Sequence, residues 1–291
     1  MKVLILGGGG TLGAFSAGAL RALEQRGFVP DAMIGSSAGG INMLRWLVGG
    51  AVESIRFWKE TASPRMLARG LLHGENLTAG ILDAEWFRKR VERGVDFGLV
   101  MKDRRPLSFL VVDLKTGKVT VRGNRTEPSV NALRAVARGA YALPPLLPPV
   151  SLGDEMLADG GLLYNAPLNA ACKMGATEIV YLCNVHALPQ KGFMPASAAR
   201  SAWRYAEIFF RRASNVGFAD AEINEGRFRG VPFITVAPPA ELRFGSLLRW
   251  MLPRVDAVQY LVDTGYKSAS EALATWTPEV APTSTLEPML A

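Results

Sequence analysis

Two glycine-rich turns, each set between a short apolar run and a helical pattern, constrain this chain most. Val3-Leu4-Ile5-Leu6 is an aliphatic run followed at once by Gly7–Gly10 and then by a helical pattern around Leu12–Arg26, which Gly27 stops. A run that short, closed by glycines, reads as a buried strand. The arrangement then repeats, with Asp31–Ile34 as a second strand and Gly35-Ser36-Ser37-Ala38-Gly39-Gly40 opening a helix through about Val48. Successive strand–turn–helix units build a parallel sheet covered by helices.

The rest of the chain continues the alternation. Residues 51–105 read as largely helical, with Trp58, Trp86 and Phe87 beside basic clusters such as Arg88-Lys89-Arg90. Leu107–Asp113 is strand-like, and Leu114-Lys115-Thr116-Gly117 turns it into a second strand, Lys118–Arg122. Asn131–Ala140 is a helix ending at Gly139, and the prolines of residues 144–149 make a stiff extended connector. Ile179–Val185 and Phe233–Val236 are further buried strands. The expected fold is one α/β domain over residues 1–276, a three-layer sandwich with a mainly parallel central sheet. Residues 277–291, rich in Pro, Thr and Ser, read as a flexible tail.

Composition removes several function classes. With 49% hydrophobic and 20% charged residues, the chain is neither disordered nor a coiled coil. A net charge of +7 favours anionic partners. No Lys/Arg-rich tract and no Cys/His finger spacing occurs, so nucleic acid ranks below a lipid head group, and charge alone fits a plain solvated basic surface better than either. The two cysteines, Cys172 and Cys183, sit in apolar segments and read as core residues of a reducing compartment, which points to the cytoplasm. Two histidines and two cysteines are too few for a zinc cluster, and no metal site is expected. The uncharged stretch Val3–Leu20 is broken by glycines well short of the ~7–15 apolar residues of a signal peptide, and no window reaches the ~18 of a spanning helix. A soluble or peripheral protein is expected.

Gly35-Ser36-Ser37-Ala38-Gly39 fits the G-x-S-x-G pattern between a strand and a helix, the context in which a serine becomes a nucleophile. The hydroxyl then stands at a helix N-terminus, where backbone N–H groups can meet a developing oxyanion. Two serines among glycines also simply cap helices. The base is open between two candidates. His186 lies at a strand end in the chain order Ser37…Asp159…His186 of a histidine triad, while His73 has no orienting context. Asp159 stands in Ala158-Asp159-Gly160-Gly161, whose Gly160 and Gly161 permit close backbone approach but equally mark an ordinary turn.

The first glycine turn also has two readings. Gly8-x-Gly10-x-x-Gly13 satisfies a dinucleotide-binding fingerprint, but the acidic residue that should follow the next strand is replaced by Gly35-Ser36-Ser37. That removes most support for NAD and leaves NADP binding, or an adaptor role, as an alternative. In the other reading, the glycine N–H groups form an oxyanion hole.

Taken together, the GGGG-x-x-G opening, G-x-S-x-G and the downstream Asp159-Gly160-Gly161 with Asn165 and Pro167 resemble the patatin-like phospholipase family over nearly the whole chain. Val111–Gly117 is similar to that family's strand and turn, Ala142–Val150 to its proline-rich run, and Asp263-Thr264-Gly265-Tyr266 to the opening of its last helix. The resemblance implies a Ser37–Asp159 dyad without histidine, supported by Gly35 and Gly39 around the serine. It further implies an oxyanion hole of Gly8, Gly9 and Gly10, acyl hydrolysis through an acyl-enzyme, lipid acyl esters as substrates, and no cofactor. One departure stands out: Leu12 occupies a position where similar proteins carry Arg or Lys. Ser197–Arg212 and the segment from Arg243 through Met251 combine basic and aromatic groups suited to an anionic bilayer, and Met66–Leu72 is a lid candidate.

Overall fold

The structure is a computed structural model that describes residues 1–62, 82–185, 201, 223–224, 226–239 and 255–276. His73, His186, the lid candidate, the two basic aromatic stretches (Ser201 apart) and residues 277–291 lie outside the described residues.

Strand β1 (Lys2–Leu6) leads through a 3-10 turn, Gly10–Leu12, into α1 (Gly13–Gln25). β2 (Ala32–Gly35) leads into α2 (Ala38–Thr61), followed by α3 (Ala84–Glu92) and α4 (Phe97–Lys102). A hairpin of β3 (Leu107–Asp113) and β4 (Val119–Gly123) precedes α5 (Val130–Gly139). A second hairpin, β5 (Val150–Leu152) with β6 (Glu155–Asp159), precedes α6 (Leu168–Lys173) and β7 (Glu178–Leu182). The described chain closes with β8 (Ile223–Asn224), β9 (Arg227–Phe228), β10 (Val231–Val236) and α7 (Val255–Thr275).

The strands form one sheet in the order β5-β6-β3-β2-β1-β7-β10-β9-β8, with β4 also paired to β3. Its middle, β3-β2-β1-β7-β10, is parallel, and the flanking pairs are antiparallel. β1 shows why a short aliphatic run suffices at the centre. Leu4 and Leu6 face a large core shared with α1, α2 and α7, whereas Val3 and Ile5 face a smaller core with Leu168 and Ala171 of α6. Two apolar faces on alternate residues make three layers. The sandwich with a mainly parallel sheet is therefore as expected, and Leu107–Asp113 is a strand with the expected bounds.

Three local expectations change. The helix expected to end near Val48 instead bends at Gly49 (φ −172°, ψ 38°) and Gly50 (φ 68°, ψ −163°) and continues to Thr61. The second segment is restarted by Glu24, whose Oε1 accepts the Ala51 N–H at 2.8 Å. The proline run is compact at its start: Leu146 and Leu147 N–H both donate to the Leu143 carbonyl, at 2.7 and 2.9 Å. Asp263-Thr264-Gly265-Tyr266 lies in the middle of α7 rather than at its opening. Gly265 is there for packing, because a Cβ on it would stand 1.9 Å from the Phe15 carbonyl of α1, and a Cβ on Gly18 would stand 1.9 Å from the Val262 carbonyl.

Candidate active site

The topology brings two strand ends face to face. β4 occupies one edge of β3 over residues 108–112, so β2 and β6 share the other edge. β2 runs parallel and its last residue, Gly35, pairs with Phe109. β6 runs antiparallel and its last residue, Asp159, pairs with Val111. The C-terminal ends of β2 and β6 thus meet on the same edge, at the carboxyl ends of the parallel strands where open α/β sheets place their sites.

Beyond Gly35 the chain makes the sharp elbow expected of a strained nucleophile. Ser37 has φ 51° and ψ −123°, a conformation that costs of order 1–3 kcal/mol and persists only where the surroundings hold it. Ser36 N–H donates to Leu6 O at 3.0 Å and Ser37 N–H to Ala140 O at 2.8 Å. The neighbours must be small: a Cβ on Gly39 would lie 1.9 Å from the Leu6 carbonyl, and one on Gly35 2.7 Å from the Gly40 Cα.

The Ser37 hydroxyl lies beside the carboxylate of Asp159 and favours its charged form, and the carboxylate accepts the Gly161 N–H at 2.9 Å. Asp159 is 5% exposed and makes no ion pair among the described residues. Burial pushes its pKa from the ordinary 3.8 up to about 7, against the Ser37 hydroxyl and the Gly161 N–H, which favour the charged form. A carboxyl held near neutrality, touching a serine hydroxyl, has the pKa of a general base. Gly160 and Gly161 are sterically required: a Cβ would approach the Val111 backbone to 2.9 Å and Ser36 Oγ to 2.0 Å, respectively.

Both partners are held by one segment after α5 whose part sequence reasoning missed. The Ala140 carbonyl accepts the Ser37 N–H, and two residues on the Ala142 carbonyl accepts the Asp159 N–H at 2.8 Å. Tyr141, between them, lines an apolar cavity. That cavity of about 90 Å³ is lined by Gly10, Ser37, Ile41, Trp58, Phe87 and Tyr141, among others. Since about 10–15 Å³ accommodates one water, it has room for several methylene-sized groups beside the serine. Trp58 arrives from the segment of α2 beyond the kink, and packs so closely under the first glycine turn that a Cβ on Gly13 would overlap its ring at 2.3 Å.

The first glycine turn departs from expectation at one residue. The Gly8 N–H already donates to Asn165 Oδ1 at 2.6 Å, so it is not free to receive an oxyanion. No acceptor among the described residues takes the N–H of Gly9 or Gly10, and Gly10 shares the cavity lining with Ser37. Gly9 (φ 153°) and Gly10 (φ 57°) adopt conformations open to glycine. Leu12 is 4% exposed within the large core and is not among the residues lining the cavity beside Ser37.

The patatin-like phospholipase family model matches residues 4–172, more than half the chain, and spans every one of these elements from β1 through Asn165. The chain belongs to that family. An uncharacterised NTE family protein of Mycobacterium tuberculosis is 28% identical over 199 residues, 65% of this chain and 31% of that protein. Lysophospholipase NTE1 of Mycosarcoma maydis is 29% identical over 181 residues, 60% of this chain and 9% of that protein. The crystal structure of VipD from Legionella pneumophila is similar with a TM-score of 0.43 and 14% identity, covering 94% of this chain and 67% of that one. The patatin-like chain spans less than half the length of these two sequence relatives. Among its described residues no helix is long and apolar enough to cross a membrane.

Proposed function

We propose that this patatin-like protein is a serine-dependent lipid acyl hydrolase acting on phospholipid or other lipid carboxylic esters. The observation that carries the reading is the placement of the Ser37 hydroxyl, on a strained elbow, beside a buried carboxylate of near-neutral pKa. Asp159 takes the Ser37 proton as Oγ attacks the ester carbonyl carbon. The carbonyl oxygen gains the negative charge and is met by the Gly9 and Gly10 N–H groups. Collapse breaks the bond to the leaving alcohol, which recovers the proton from Asp159, and leaves the acyl group on Ser37. Asp159 then removes a proton from water for the second attack, which releases the fatty acid and returns the proton to Ser37.

The direct Ser37–Asp159 contact favours the dyad over a triad in which an imidazole stands between serine and aspartate. The apolar cavity beside Ser37 supports an acyl chain as the group bound there. The net charge of +7 supports transient docking on an anionic lipid surface. Hydrolysis of a panel of phospholipids, lysophospholipids and neutral acyl esters tests the reading, with Ser37→Ala beside wild type. Turnover by wild type and its loss in the variant are expected; equal turnover by both refutes the dyad.

A further inference from the structure

The Gly7–Gly8 peptide unit is gripped at both of its polar ends by two buried asparagines. Asn184 Nδ2 donates to the Gly7 carbonyl at 2.7 Å, and the Gly8 N–H donates to Asn165 Oδ1 at 2.6 Å. Asn184 is 0% exposed and Asn165 1% exposed. The amide orientations follow from the partners. A carbonyl can only accept and an N–H can only donate, so Nδ2 must face Gly7 and Oδ1 must face Gly8.

Each asparagine is itself fixed by a second element. Asn184 Oδ1 accepts the Ser16 hydroxyl at 2.6 Å and the Ser16 N–H at 3.2 Å, which ties the clamp to α1. Asn165 Oδ1 accepts the Ser36 hydroxyl at 2.9 Å, which ties it to the elbow one residue before the nucleophile. The pressure is steric as well, since a Cβ on Gly9 would lie 2.7 Å from Asn184 Cβ, and one on Gly8 2.9 Å from Ser37 Cβ.

A loop of four successive glycines has little intrinsic preference for one peptide orientation. An oxyanion hole needs its donors preorganised, because the value of a donor lies in not having to reorient during the reaction. We infer that Asn165 and Asn184 are positioning residues which clamp the Gly7–Gly8 peptide plane and so aim the Gly9 and Gly10 N–H groups at the carbonyl attacked by Ser37. The catalytic part of this inference rests on the hydrolase reading above.

Two experiments test the clamp. In the wild-type protein, amide hydrogen exchange followed by NMR should find the Gly8 N–H strongly protected and the Gly9 and Gly10 N–H exchanging fast. Covalent phosphonylation of Ser37 should then protect Gly9 and Gly10 while leaving Gly8 unchanged. Exchange of Gly8 as fast as Gly9 overturns the clamp without any variant having to fold. In the second experiment, kcat and KM of an acyl ester are measured for Asn165→Ala, Asn184→Ala and the double variant. Each single change should lower kcat on the order of 10²-fold, the scale of one lost oxyanion donor, with KM within about twofold. The double variant should lose far less than the product of the two, since both act on one peptide. Multiplying losses, or a rise in KM at constant kcat, would mark independent packing roles and overturn the inference. Ser37→Ala separates the two claims. If it hydrolyses ester as fast as wild type, the hydrolase reading falls and takes the catalytic role of the clamp with it. If Ser37→Ala is inactive while both asparagine variants keep wild-type kcat, the clamp alone is wrong.

Discussion

Asp159→Asn should make the protein inactive and, at alkaline pH, more stable. Folding raises the Asp159 pKa from 3.8 to about 7, chiefly through burial. Between those two values the folded protein binds a proton that the unfolded chain has released, so stability falls as pH rises through this window and stays lowered above it. A difference of roughly 3 units corresponds to about 4 kcal/mol at 1.36 kcal/mol per unit. Asparagine has the same shape, is never charged, and can keep accepting the Gly161 N–H. The variant therefore escapes the loss. Its stability relative to wild type should climb between pH 4.5 and pH 8 by about 3 kcal/mol, or on the order of 10 °C in Tm for a chain of this size. Thermal denaturation of both proteins across that range, with ester hydrolysis measured in parallel, is the assay. A Tm difference that stays constant from pH 4.5 to pH 8 would refute a buried, near-neutral Asp159. Such an exchange of stability for activity is usual where a catalytic group is held in an unfavourable environment.

Three further outcomes follow from the same geometry. Because Asp159 must be ionised to accept the Ser37 proton, kcat/KM should rise about tenfold per pH unit below an apparent pKa near 7 and level off above it; a flat profile from pH 5 to pH 8 contradicts this. Ile41 lines the cavity beside Ser37, so Ile41→Trp should raise KM for long-chain esters by about tenfold while sparing acetyl esters, and equal effects on both would remove the cavity from acyl binding. Gly265→Ala sets a Cβ against the Phe15 carbonyl in the α1–α7 contact and should cost about 1–3 kcal/mol in denaturant unfolding, without changing the pH dependence of hydrolysis.

Much of the centre of the sheet was legible because its residues carry local signals. Val3–Leu6 and Leu107–Asp113 are apolar runs bounded by turns, and the elbow around Ser37 needs small residues that stand out against any background. Asp159 was ambiguous for a physical reason: an aspartate before two glycines looks like a turn, and β6 is too short and too polar at its start to announce a strand. Its meaning depends on sharing one edge of β3 with β2, a non-local pairing. Asn184 escaped notice similarly, since it reads as a strand end, and Asn165 stood out only as part of the motif, its hold on the glycine peptide being another non-local contact. The continuation of α2 past Gly49–Gly50 depends on Glu24 of α1 capping its second segment, which periodicity cannot reveal.

The dyad is tested most directly by trapping the covalent intermediate. Wild-type protein, Ser37→Ala and Asp159→Asn are each mixed with an activated acyl ester, quenched in acid and analysed by intact and peptide mass spectrometry. One acyl group on Ser37 of the wild type, none on Ser37→Ala, and at least a hundredfold slower acylation of Asp159→Asn are expected. Acylation of another residue, or of the Asp159→Asn protein at the wild-type rate, would contradict a nucleophilic Ser37 activated by Asp159.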